Sequence, residues 1–137
     1  MPLDGSSSSE AVLPHVQDIA RALNSEIIFL HVIATPVPQF STPSKPFAKD
    51  FVYRQRGKTT RYFKALCANF EKQGVHVTYL IREGGFTKTI LEVAELMHVN
   101  MIALSIQGPA AAQLLLLGSV AYQVVRRPPL PMLVIRI

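Results

Sequence analysis

The sequence predicts an α/β fold in which helices cover both faces of a parallel sheet. Three observations lead there. Two short runs, EIIFLHVI (26–33) and NMIALSI (100–106), are almost uninterrupted in apolar residues, as strands buried on both faces are. Segments with the apolar period of amphipathic helices lie before and between them. Strand and helix alternate to the end of the chain, which implies right-handed crossovers and parallel pairing.

The elements follow in order. Residues 7–10, SSSE, form a capping box in which Ser7 caps a helix and Glu10 reaches back to it. Val12, Val16, Ile19, Ala20 and Leu23 continue at helical spacing. Pro14 lies inside this helix and should bend it. After strand 26–33, the segment ATPVPQFSTPSKP (34–46) carries four of the ten prolines and reads as an extended loop. The helical period returns over 48–73 at Phe63, Leu66, Cys67 and Phe70, and Gly74 ends it. VHVTYLI (75–81) alternates in part, as an edge strand with one wetter face does. Gly84-Gly85 make a turn, and Ile90, Val93, Ala94 and Met97 mark a further helix. Beyond strand 100–106, the stretch GSVAYQVVRR gives a last helix with Arg126 and Arg127 at its cation-favouring end. MLVIRI (132–137) is the final strand. Before the capping box, MPLD leaves room for a short first strand.

Composition agrees with one such unit. The 137 residues suit a single domain spanning 1–137 and can bury a core. A content of 49% hydrophobic and 17% charged residues argues against disorder. The single cysteine, Cys67, excludes an intrachain disulfide framework and fits a reducing, cytoplasmic setting. MPLDGSSSSE has neither the basic nor the apolar part of a signal peptide. The uncharged stretch between Glu95 and Arg126 is split by Asn100, Ser105, Gln107, Gly108, Pro109 and Gln113, so no membrane span is expected. The net charge of +5 is concentrated in 45–72, which hold eight cationic against two acidic residues. Without interleaved aromatics, this reads as a solvated helix face and not as a nucleic-acid footprint.

Ligands of open parallel sheets bind beyond the carboxyl ends of strands. That rule selects Asp4-Gly5-Ser6, the segment from Val32-Ile33 onward, and Ser105–Ser119. In the last, Gly118 lets backbone approach a ligand, and Ser119 brings a hydroxyl and an N–H to a helix start that attracts phosphate. Ser119 as a plain N-cap explains the pair equally well.

Other signals carry little. RGKTT (56–60) lacks the first glycine of a phosphate-binding loop and follows no strand, so it reads as surface helix. LGSVA around Ser119 is not a nucleophile elbow. His15, His31, His76 and His98 have no metal-ligand spacing with Cys67, and His31 reads as a satisfied core histidine. Asp4 is the best-placed carboxylate, with capping of its own turn as its plainer role. No base–nucleophile pair can be argued, so neither a catalytic residue nor a protein metal site is expected.

The chain resembles the universal stress protein family over nearly its full length. The matching pieces are PLDGS (2–6), LHV (30–32), the glycine turn before ILEVAE (90–95), LLGSVA (116–121) and PMLVIRI (131–137). Nucleotide-binding members carry G-x2-G-x9-G-[S/T]; here it reads Ser105-x2-Gly108-x9-Gly118-Ser119. The resemblance implies a Rossmann-like, open parallel five-stranded sheet of the adenine nucleotide alpha hydrolase-like type. It implies ATP, with magnesium, as cofactor. Adenine would contact Val32, and ribose and metal would lie near Pro2 and Asp4. Phosphates would lie on Ser105, Gln107, Gly108, Pro109, Ala110 and Ala111 and on Ser119, Val120 and Ala121, next to Gly118. It also implies a homodimer paired through 131–137, and a regulatory or protective role exercised through protein partners.

The departures are chemical. Ser105 replaces a glycine, and Pro109 has no amide hydrogen to give a phosphate. Ala110 and Ala111 stand where polar or basic side chains are usual, and Gln107 where histidine is frequent. Two other readings therefore stand beside nucleotide binding: a nucleotide-free dimeric interaction module of the same fold, and a slow ATPase, for which no water-activating group is evident.

Overall fold

The computed structural model describes residues 1–34, 45–106 and 130–137, without the side chains of 45–48. Its elements are α1 (Ser7–Glu10), α2 (Leu13–Leu23), β1 (Ile27–Ala34), α3 (Lys45–Lys72), β2 (Val77–Gly84), α4 (Phe86–Leu96), β3 (Ile102–Ile106) and β4 (Met132–Arg136). The expected last helix (118–127) and the loop of 107–117 lie outside the described residues.

Both ladders are parallel. β1 pairs with β2 from Ile27↔Val77 to Ala34↔Gly84, and β3 with β4 from Ile102↔Met132 to Ile106↔Arg136. The extended start of the chain lies along β1: the Leu30 N–H donates to Met1 O at 2.9 Å, and the Leu3 N–H to Leu30 O at 2.8 Å. This segment makes one parallel bridge, Pro2↔Leu30, and not a full strand. Pro2 has no N–H to lend to a ladder, and the chain turns away at Asp4. The parallel α/β class is thus found. The single five-stranded sheet is drawn among the described residues as two two-stranded ladders and a bridge.

Side chains nevertheless divide into two layers shared by all four strands. Ile27, Phe29, Ile33, Val77, Ile81 and Ala103 join Val12, Val16 and Ala20 of α2 and Phe63, Cys67 and Phe70 of α3 in one core. Leu30, Val32, Ile102 and Leu104 join Ile90, Val93 and Ala94 of α4 in the other. The period-2 alternation of strands sends neighbours such as Phe29 and Leu30 to opposite faces, and both faces are covered.

Three local details differ from the sequence reading. The first cap is Ser6, not Ser7: Ser6 Oγ accepts from the Ser9 N–H at 3.1 Å, while Glu10 accepts from the Tyr62 hydroxyl at 2.7 Å. Asp4 decides the register, because its Oδ1 accepts both the Ser6 N–H (2.9 Å) and the Ser6 hydroxyl (2.6 Å). Pro14 does not bend a helix; it sits in the first turn of α2, where a missing N–H costs nothing, and the chain breaks between α1 and α2. β2 starts at Val77 and runs to Gly84, where φ is +148° and an added Cβ would lie 2.6 Å from Thr89 Oγ1. Gly84 thus lets β2 turn directly into α4, with Gly85 as its N-cap.

Candidate functional site

The carboxyl ends of β1 and β3, the turn after Leu3 and the first turns of α4 surround a cleft of about 320 Å³. Leu30, Val32, Leu104, Ile90 and Phe86 give it an apolar side. Pro2, Leu3, Asp4, Ser9, His31 and Ser105 complete the lining. Helix α4 reaches it because Gly84 and Gly85 place Phe86 immediately beyond the end of β2.

The polar rim is a connected network. Besides the two bonds from Ser6 to Asp4, the Asp4 N–H donates to Ser9 Oγ at 3.4 Å, and the Ser9 hydroxyl donates to Ser6 O at 2.9 Å. The Ser105 hydroxyl donates to Ser8 O, which ties the end of β3 to α1. His31 Nδ1 lies 2.9 Å from Leu3 O and so donates to it, because a carbonyl can only accept. The His31 ring also packs edge-on to Phe63, with centroids 6.5 Å apart. Partial burial alone would raise the Asp4 carboxyl, but the Ser6 hydroxyl and amide, with smaller help from Ser9 and its own amide, hold it below the ordinary value. Asp4 is therefore a carboxylate at neutral pH.

Pro2, Asp4, Val32 and Ser105, far apart in sequence, all line this cleft. Gln107, Gly108, Pro109, Ala110, Ala111, Gly118, Ser119, Val120 and Ala121 lie outside the described residues. Sequence reasoning missed Ser9, Phe86 and the cleft-facing side of His31. The LHV match pointed near His31, but Phe86 and Ile90 carry no signal beyond helical periodicity. A larger cavity, about 630 Å³, lies at the opposite end, against Leu23, Ile27, Met97 and Met101; Pro2, Asp4, Val32 and Ser105 do not line it.

Among the described residues no cluster of three or more His, Cys, Asp or Glu could hold a metal. None of their helices is long and apolar enough to cross a membrane. The basic stretch is partly neutralised: Arg54 pairs with Asp50 at 2.9 Å and Arg56 with Glu83 at 2.8 Å. RGKTT lies within α3, with Arg56, Gly57 and Lys58 exposed as a surface helix expects, but with Thr59 buried.

A parallel α/β unit with a mainly apolar cleft, edged by a few polar side chains, at its strand carboxyl ends is the class of protein that fold and site define. The model of the universal stress protein family matches residues 1–136, and the chain belongs to that family. Universal stress protein MJ0531 of Methanocaldococcus jannaschii is 25% identical over 136 residues, covering 99% of this chain and 79% of that protein. Among solved structures, hypothetical protein MJ0577, a test case for structure-based assignment of biochemical function, is 25% identical with a TM-score of 0.81, covering 99% of this chain and 92% of that one. Universal stress protein UspA from Lactobacillus plantarum shares the fold at 20% identity and a TM-score of 0.82, covering 98% and 94%. The fold also recurs in a universal stress protein in complex with cAMP (20%, TM-score 0.67, covering 98% and 92%). It recurs again in the Archaeoglobus fulgidus protein in complex with dAMP (17%, TM-score 0.65, covering 98% and 93%).

Proposed function

We propose that this chain is a single regulatory or protective domain that binds ATP or a related adenine nucleotide in the cleft between β1 and β3. The observation that carries the reading is the convergence of Pro2, Asp4, Val32 and Ser105 on one cleft at the strand carboxyl ends. Its volume is at the small end of ligand sites and suits a base and sugar. Two relatives of the fold are complexes with adenine nucleotides. In this reading Val32 meets the base and Asp4 the sugar. Gln107, Gly108, Pro109, Ala110 and Ala111, with Gly118, Ser119, Val120 and Ala121, face the phosphates. Magnesium would find one carboxylate, Asp4, and would take its remaining ligands from phosphate and water.

The domain acts by binding, without a chemical step, in the cytoplasm. A second copy pairs along 131–137; the support is that Val134 and Ile137 are 40% and 52% exposed and that β4 pairs with β3 alone among the described strands. Calorimetric titration with ATP and magnesium tests the ligand. Saturable micromolar binding, lost in Gly118→Val with the fold retained, is expected. No heat at millimolar ATP from folded protein would leave the nucleotide-free interaction module instead.

A further inference from the structure

Among the described residues, four polar side chains line the cleft: Asp4, Ser9, His31 and Ser105. The hydroxyl protons of Ser105 and Ser9 and the Nδ1 proton of His31 are already committed to main-chain carbonyls. Ser105 donates to Ser8 O, Ser9 to Ser6 O, and His31 Nδ1 to Leu3 O. A carbonyl can only accept, so each of these partners fixes the direction of the bond. Asp4, as a carboxylate, has no proton to give. No lysine or arginine lines the cleft among the described residues. Asp4, Ser9 and Ser105 therefore offer lone pairs and one negative charge. A phosphate would bring more of the same, whereas an alcohol brings the missing hydrogen.

We propose that the Ser105 hydroxyl oxygen, with its proton held by Ser8 O, accepts a hydrogen bond from a ribose hydroxyl and makes this cleft select ribonucleosides over deoxyribonucleosides. The inference rests on the adenine-nucleotide reading and sharpens it. The sugar, and not the phosphates, meets the wall formed by Asp4 and Ser105. A glycine at 105 would offer no such acceptor, so the selectivity belongs to this chain's departure from the family motif. A bare divalent cation would also accept lone pairs, but it needs several charged oxygens, and one carboxylate does not supply them.

The test titrates the whole chain with adenosine, 2′-deoxyadenosine and 3′-deoxyadenosine, with and without a chelator. The wild type should prefer adenosine to at least one deoxy analogue by about tenfold, the effect of one good hydrogen bond. Ser105→Ala should bring that ratio to near unity. Ser105→Thr, which keeps the hydroxyl, should preserve the ratio. Equal wild-type affinities would overturn the inference without reference to any variant. So would a preference that survives in Ser105→Ala or disappears with the chelator. In each of those cases the nucleotide reading stands. Failure of every adenine compound, ATP included, to bind would overturn both.

Discussion

The two faces of the sheet use the same strands and are built differently. The face under α2 and α3 is aromatic. Phe29 stacks on Phe63 at 5.9 Å and meets Phe70 edge-on at 5.4 Å, while Tyr62 and Tyr79 lie 5.2 and 5.5 Å from Phe63. The face under α4 is aliphatic, made of Leu30, Val32, Ile90, Val93, Ala94, Ile102 and Leu104. Large rings and a 28-residue helix close the first face. An 11-residue helix and smaller side chains cover the second, and the cleft opens along it. Among the described residues, the aromatic cluster thus lies on the face away from α4, and the cleft opens along the aliphatic one.

Substitutions on each face put that contrast at risk. The largest effect should come from Phe63→Ala, which removes the ring at the centre of the aromatic layer. A loss of about 3–5 kcal/mol in urea unfolding is expected. Ile90→Ala, on the aliphatic face and in the cleft wall, should cost about 2 kcal/mol and weaken nucleotide binding as well. If Ile90→Ala proved the more destabilising of the two, the contrast between the faces would collapse.

Tyr62→Phe should cost less, about 1 kcal/mol, because the bond to Glu10 is only part-buried. Burial first, then the hydrogen bond and charge of Glu10 and the charge of Asp4, push the phenol well above its ordinary value. A raised folded-state value means that this contribution is present below the ordinary tyrosine value of 10.0 and is lost as pH rises through the raised one. Wild type and Tyr62→Phe should therefore converge in stability only in strong alkali, which unfolding curves across pH would show. Asp4→Asn should change stability least, since the carboxylate is exposed, yet weaken nucleotide binding about tenfold. With its pKa depressed, Asp4 contributes fully above the ordinary 3.8, and its share is lost only as pH falls below that. Asp4-dependent affinity that changed between about pH 5 and 8 would contradict this assignment.

The strands and their parallel sense were legible because β1 and β3 are continuous apolar runs, a pattern that sheets covered on both faces require. The register of the first cap was not legible. In a run of four serines, each can cap, and the choice of Ser6 rests on Asp4 accepting its amide and hydroxyl. Pro14 gave the right place for an irregularity and the wrong kind, since a proline reads alike as a bend or as a helix start. At the site, the residues at strand ends could be found, because Asp4, Val32 and Ser105 follow from the carboxyl-end rule. Phe86 and Ile90 could not, because helical period marks which residues face the core but not where that core opens. His31 is both things at once: it is satisfied by Leu3 O and packed on Phe63, as a core histidine is, and it lines the cleft.

The central claim is that nucleotide sits between the ends of β1 and β3. Amide chemical-shift mapping on isotope-labelled protein titrated with ATP and magnesium tests it most directly. Saturating shifts concentrated at Leu3, Asp4, Val32 and Ser105, with Leu23 and Met97 at the opposite cavity unmoved, are the predicted result. Shifts that gather at the opposite cavity, or that leave Asp4, Val32 and Ser105 unmoved while ATP saturates elsewhere, would contradict it.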